Sequence, residues 1–388
     1  MKRPHLRSFR FAPVAVVVAA PLALAAVPAD AAPAAPLTLA AAGQGIDGQY
    51  IVTLKDGVSV GGLISKSRVS TLHRYDKAIN GFAARLSSAQ VAKLRTTPGV
   101  KAIEQDGIAR ATETQSNPPS WGLDRIDQAR LPLSSSYTYN GNGAGVNAYI
   151  IDTGLAASHS DFGGRARNVY DSQGGNGNDC NGHGTHVAGT VGGAKHGVAK
   201  AVKLHGVRVL NCQATGAWSA IIAGIDWVAN NHVKPAVANL SIGGGRSSSV
   251  DSATNNLASK GVFVAVAAGN DNRNACDYSP AAAANATTVA SSTKTDAKSS
   301  FSNYGSCVEL YAPGSAITST WLNGGTNTIN GTSMATPHVA GVAALYKAAK
   351  GDASFSTIRS WLTSTATSGV ITGNPSGTPN KLLYTGGL

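Results

Sequence analysis

Val262-Phe263-Val264-Ala265-Val266-Ala267-Ala268-Gly269-Asn270 is apolar through its first seven positions and closes on a glycine and an amide. A short continuous apolar run of this kind reads as a strand buried on both faces. Stretches 146–151, 204–210, 237–242 and 288–290 share that character, and helix-like segments 185–191, 218–230 and 250–259 lie between them. Buried strands alternating with helices predict an α/β fold, a mostly parallel sheet with helices on both faces. In such a sheet the working site lies at the carboxyl ends of the strands. No internal repeat is evident.

The region ahead of residue 112 reads differently. Gln49-Tyr50-Ile51-Val52-Thr53-Leu54 is a predicted strand with a turn at Asp56-Gly57. Residues 78–86 form a second strand, Ser87 caps a helix over 88–95, and 100–104 is a third strand. Residues 46–110 thus form a small α+β unit of about 65 residues, marginal in stability alone. The polar stretch 112–120 separates it from the rest.

Of the 388 residues 43% are hydrophobic and 13% charged, which supplies a large core and excludes a disordered chain. The net charge of +12 is concentrated early: residues 1–111 carry 14 Lys/Arg against 6 Asp/Glu. With no basic run interleaved with aromatics, a nucleic-acid partner is not expected. Lys2, Arg3, Arg7 and Arg10 precede an apolar stretch 11–27 and then Ala29-Asp30-Ala31. Basic, apolar and small-residue regions in that order predict a cleaved secretory signal, residues 1–31, with a linker over 32–45. The stretch is short and broken by Pro13 and Pro21, so no membrane anchor is expected. The expectation is a secreted, extracellular, monomeric protein. Cys180, Cys212, Cys276 and Cys307 give an even count, which in an exported chain favours two disulfides with three pairings open.

Three stretches carry chemistry. Asp152 ends the strand Tyr149-Ile150-Ile151. Asn181-Gly182-His183-Gly184-Thr185-His186 opens a small-residue helix. Asn330-Gly331-Thr332-Ser333-Met334-Ala335-Thr336-Pro337-His338 opens another. A serine hydroxyl becomes a useful nucleophile when an imidazole takes its proton and a carboxylate orients that imidazole. A helix N-terminus at Ser333 adds positive potential beside a developing oxyanion, and the Asn270 amide is a candidate second donor. Cys180, His183 and His186 are also spaced like zinc ligands, but no H-e-x-x-H pattern accompanies them. An esterase is disfavoured by the lack of G-x-S-x-G around Ser333. A non-catalytic binding protein on this fold is the remaining rival.

Together these stretches resemble the subtilisin-like serine proteases, specifically the proteinase K and aqualysin branch, over nearly all of the chain from Trp121 onward. The resemblance implies Asp152, His183 and Ser333 as the triad, Asn270 as oxyanion donor, and an acyl-enzyme route. It implies Ala214, Thr215, Gly216, Ser241, Ile242 and Gly243 flanking the bound peptide. Ala267, Ala268 and Gly269 would line a primary pocket suited to apolar or aromatic side chains. It supports the sequential pairing Cys180–Cys212 and Cys276–Cys307. Two structural Ca2+ sites are implied, one from Asp124, Asp127, Gln128, Ser134 and Ser136, another from carbonyls near Ala284 and Ala286 with Glu309. There the family usually has Asp. Residues 46–111 resemble an inhibitory propeptide ahead of a peptidase domain over 112–388, with self-cleavage between about Arg110 and Gln115. Ile108-Ala109-Arg110 would then lie in the cleft as product.

Overall fold

The computed structural model describes residues 33–40, 45–107 and 113–388. The signal and most of the expected cleavage region, 108–112, lie outside the described residues. Contacts divide the chain into two units, residues 48–105 forming most of the first and those beyond Asp106 most of the second.

The first unit contains β1 (Leu37–Thr38), β2 (Gly45–Leu54), β3 (Thr71–Tyr75), β4 (Gly81–Arg85) and β5 (Val100–Gly107), in the order β1-β5-β2-β4-β3. Helices α1 (Val60–Ser67) and α2 (Ser88–Arg95) complete it. Its core joins Val52, Leu54, Phe82, Val91, Leu94 and Ile103. Ser87 caps α2 in a reciprocal box: its hydroxyl accepts from Gln90 N, and the Gln90 side chain accepts from Ser87 N. Helix α1 and strand β3 are not foreseen by the sequence reading.

The second unit begins with a ribbon of β6 (Glu113–Ser116) and β7 (Ser136–Tyr139). Then come β8 (Asn147–Asp152), β9 (Ala166–Asp171), β10 (Lys203–Arg208), β11 (Ala236–Leu240), β12 (Gly244–Gly245), β13 (Phe263–Ala267), β14 (Tyr278–Ser279), β15 (Thr287–Ser292), β16 (Leu310–Pro313), β17 (Ile317–Thr320), β18 (Thr326–Ile329), β19 (Thr367–Ser368) and β20 (Lys381–Leu382). One nine-stranded sheet has the order β9-β10-β8-β11-β13-β15-β16-β20-β19. All neighbours are parallel except β19 and β20. Every residue of β8, β11, β13, β15 and β16 is buried, which is why their sequences do not alternate. Burying Val264 or Val266 contributes roughly 1.5–3 kcal/mol each.

Helices α4 (His183–Gly192) and α7 (Thr332–Lys350) pack on each other and on the sheet, after the short α3 (Trp121–Ile126). Helices α5 (Trp218–Asn231) and α6 (Ser248–Ser259) pair on the opposite face, and α8 (Phe355–Thr365) follows α7. Helix α7 is buried almost all round, so it runs through the core. The chain leaves β8 for β9 and β10 on one side and continues to β11 on the other. The carboxyl end of β8 is therefore a topological switch point, and Asp152 stands there.

Candidate active site

Asp152 is fully buried at the end of β8. Its Oδ1 accepts from Thr153 N at 2.7 Å and lies 2.8 Å from His183 Nδ1, at the start of α4. Its Oδ2 is buried without a partner. An ionised carboxylate only accepts, so the imidazole proton sits on Nδ1 and Nε2 is left as an acceptor. Burial pushes the His183 pKa down. The charge and hydrogen bond of Asp152, with help from Asp179, outweigh burial and hold it above the ordinary value. The ring keeps 21% exposure. Gly182, just before it, has φ +108°, and a Cβ there would stand 2.4 Å from the Trp321 ring.

Ser333 is the second residue of α7. Gly331 caps that helix at φ 157° and ψ 157°, a region that essentially only glycine occupies. Pro337 lacks the N–H that would have reached the Ser333 carbonyl four residues back. Ser241 Oγ supplies that donor at 2.7 Å, and Ser333 Oγ donates to Ser241 O at 3.0 Å. Asn270 Oδ1 accepts from Thr332 N at 2.8 Å and Thr332 Oγ1 at 2.9 Å. A backbone N–H only donates, so the oxygen faces Thr332 and the Asn270 Nδ2 faces away from it. Thr332 N goes to Asn270, and Met334 N and Ala335 N both go to Gly331 O. The Ser333 N–H has no protein partner among the described residues, leaving a free donor at the helix N-terminus.

His183, Ser333 and Asn270 line one open cleft of about 540 Å³. Ala214, Thr215, Gly216, Ser241, Ile242 and Gly243 form its walls, together with Leu210 and Trp218, which the sequence reading passed over. A smaller pocket of about 230 Å³ opens beside Ser333, lined by Ala267 and Gly269 and by Asp271, Tyr278 and Thr332. Ala268 does not line it: its side chain is buried in a satellite core with Ala290 and Tyr311. Its carbonyl is held by Asn303 Nδ2, whose Oδ1 also accepts from Asp271 N and Arg273 N. Thr332 and Asn303 therefore shape the site, and neither is marked by more than polarity in the sequence.

Disulfides join Cys180 to Cys212 and Cys276 to Cys307, across separations of 32 and 31 residues. Each stabilises by roughly 3–4 kcal/mol in the chain-entropy picture. With Cys180 oxidised, and His186 Nε2 set against the Ile317 and Asn327 carbonyls, the zinc-like spacing does not converge on a site.

The two implied calcium sites fare differently. Asp124 Oδ1 faces Ser134, Gln128 Oε1 faces Ser134 N, and Asp127 Oδ2 accepts from Thr138 N. Asp127 Oδ1 is buried without a partner, and burial, aided by the Asp124 charge, raises the Asp127 pKa to about 6. Hard oxygen donors with one orphaned carboxylate oxygen fit Ca2+. The second set does not fit. Arg359 Nη1 donates to Ala284 O at 2.8 Å and lies 3.8 Å from Glu309 Oε1, while Glu309 Oε2 takes Thr288 N. A guanidinium stands against two of the acceptors that a metal would need, so the expected calcium set of Ala284, Ala286 and Glu309 is corrected to an arginine bridge between Ala284 and Glu309.

A sequence profile described as the Subtilase family matches residues 143–382, and one described as Peptidase inhibitor I9 matches 49–112. The chain is 53% identical over 315 residues to an extracellular serine proteinase of Thermus sp. (strain Rt41A), covering 80% of this chain and 77% of that one. It is 46% identical over 362 residues to Proteinase R of Parengyodontium album, covering 90% and 92%. The crystal structure of a cold adapted subtilisin-like serine proteinase superposes with TM-score 0.67 at 52% identity, over 68% of this chain and 97% of that one.

Proposed function

The chain belongs to the subtilase family and is a serine endopeptidase, and from that premise we propose that Asp152, His183 and Ser333 are its catalytic triad and Asn270 its oxyanion donor. The observation that carries this is the 2.8 Å contact between buried Asp152 and His183, in a cleft shared with Ser333 at a helix N-terminus.

Ser333 Oγ turns from the Ser241 carbonyl toward His183 Nε2 and attacks the scissile carbonyl carbon as Nε2 takes its proton. Asp152, holding Nδ1–H, stabilises the imidazolium. The oxyanion receives Asn270 Nδ2 and the Ser333 N–H, both in place before the charge forms. His183 then protonates the leaving amine as the C–N bond breaks, and water repeats the sequence on the acyl-enzyme. Segments 214–216 and 241–243 pair with the substrate main chain, which gives affinity with little sequence preference. The pocket beside Ser333 takes an apolar or aromatic side chain.

We further propose a signal over 1–31, a linker over 32–45, an inhibitory propeptide over 46–111 and a peptidase domain over 112–388. Gln115 already belongs to the larger unit, its amide on Lys195 O and its Oε1 on Lys200 Nζ. Cleavage ahead of Glu113 leaves that anchorage whole. Secretion is supported by the likeness to an extracellular serine proteinase of Thermus. Among the described residues no helix is long and apolar enough to cross a membrane. Calcium at Asp124, Asp127 and Gln128 is structural, not catalytic. Purified mature protein should cleave casein and a chromogenic peptide and lose both activities to a sulfonyl fluoride. Cleavage that survives the reagent at full labelling overturns the reading.

A further inference from the structure

Asp179 lies four residues before His183, and beyond its charge it has no part in the triad described above. Its Oδ1 accepts from Thr153 Oγ1, Asn181 N and Gly182 N, each at 2.9 Å. Its Oδ2 accepts from Thr185 N at 3.0 Å and Thr185 Oγ1 at 2.6 Å. Thr153 directly follows Asp152, and its hydroxyl also accepts from Gly184 N at 2.9 Å. The N–H groups of 182, 184 and 185 are thus gathered by one carboxylate and the hydroxyl bonded to it. That carboxylate joins the strand end bearing Asp152 to the helix start bearing His183.

We propose that Asp179 is a positioning residue for the general base, fixing α4 against β8 so that the His183–Asp152 contact and the aim of Nε2 are set together. The inference rests on the triad reading above. A negative charge at a helix start is stabilising wherever it occurs. What sets this one apart is that its bonds cross between the two elements whose relative placement decides the 2.8 Å contact.

The charges acting on His183 are Asp152 and Asp179. On α4 itself and on α7, which packs against it, His186 and His338, the first titratable side chain of α7, are held neutral by burial near 4. Arg208 reaches from β10 to the Cys180 sulfur and pairs with Asp171, and Asp161 pairs with His196. Strands β17 and β18 carry no titratable side chain.

The test compares Asp179→Asn, Thr153→Val and Thr153→Ser with wild type. Each is made as the full precursor and assayed after maturation, with rates counted per active site by a serine-directed titrant. Asp179→Asn should lower kcat by on the order of 100-fold with KM little changed. It should also move the acid limb of kcat/KM to lower pH, because a charge favouring the imidazolium is gone. Thr153→Val, which removes the bridge but no charge, should lower kcat with the limb in place, and Thr153→Ser should restore it. Wild-type kcat in Asp179→Asn overturns the proposal, as does a lower melting temperature with kcat per site and acid limb both unmoved. Should Asp179→Asn fail to mature, Thr153→Val decides: equal kcat in the valine and serine variants overturns it. A wild-type enzyme indifferent to the titrant sinks the triad reading itself, whatever the variants do.

Discussion

Gly331 and Pro337 bracket Ser333, and between them they settle what surrounds its hydroxyl. The glycine takes a backbone conformation closed to other residues, and the proline frees the Ser333 carbonyl for Ser241. Asn270 has the narrower task of presenting one amide. Asn270→Ala should lower kcat by about 100- to 1,000-fold with KM nearly unchanged, the range found for such a donor in subtilisin, a relative. Equal losses in kcat and kcat/KM are the signature; a change confined to KM would place Asn270 in ground-state binding instead. The base is tested by pH. His183 must be neutral to accept the Ser333 proton, and Asp152 favours its charged form, so kcat/KM should rise with pH through a midpoint above the ordinary 6.5. A midpoint at or below 6.5 contradicts the pairing. These residues are legible in the sequence because each opens or closes an element beside glycines. Thr332, Asn303 and Asp179 are not, because a polar residue that holds another in place looks like any cap or turn former.

At the scale of elements, continuous apolar runs make β8, β11, β13 and β15 readable, since a strand covered on both faces cannot alternate. Strand β9 escapes because it lies at the sheet edge, half-exposed and carrying Arg167 and Asp171. Strand β16 is four residues ending in Pro313, and α1 hides behind Gly61 and Gly62, poor helix formers. The second calcium set misleads for another reason: Arg359, which fills it, comes 75 residues after Ala284. The Asp124–Asp127 loop is the calcium site proposed above. Chelation should lower the melting temperature by several degrees while leaving the initial rate of still-folded enzyme intact, because the ion binds only the native state. Calorimetric titration should count one ion, and Asp127→Asn should abolish it. Two ions would restore the Glu309 site. Immediate, reversible loss of activity in folded protein would make the metal catalytic.

For the whole molecule, composition foretells a large core, and the change of pattern near residue 112 foretells two units of different build. A nine-stranded, mostly parallel sheet pairs distant segments and folds slowly by that route. Residues 46–110, added in trans, should therefore raise the refolding yield of denatured mature protein and inhibit it at micromolar concentration. Equal yields with no inhibition would leave that unit without either role. Ser333 is the residue on which the proposed chemistry turns. The direct measurement is the mass of the peptide carrying Ser333 after a sulfonyl fluoride has been titrated against activity. We expect one adduct, on Ser333, in proportion to activity lost. We also expect a Ser333→Ala chain that takes no label and does not process itself, its rate down on the order of a million-fold as in subtilisin. Full inactivation with the label elsewhere, or a Ser333→Ala precursor that matures at the wild-type rate, would contradict it.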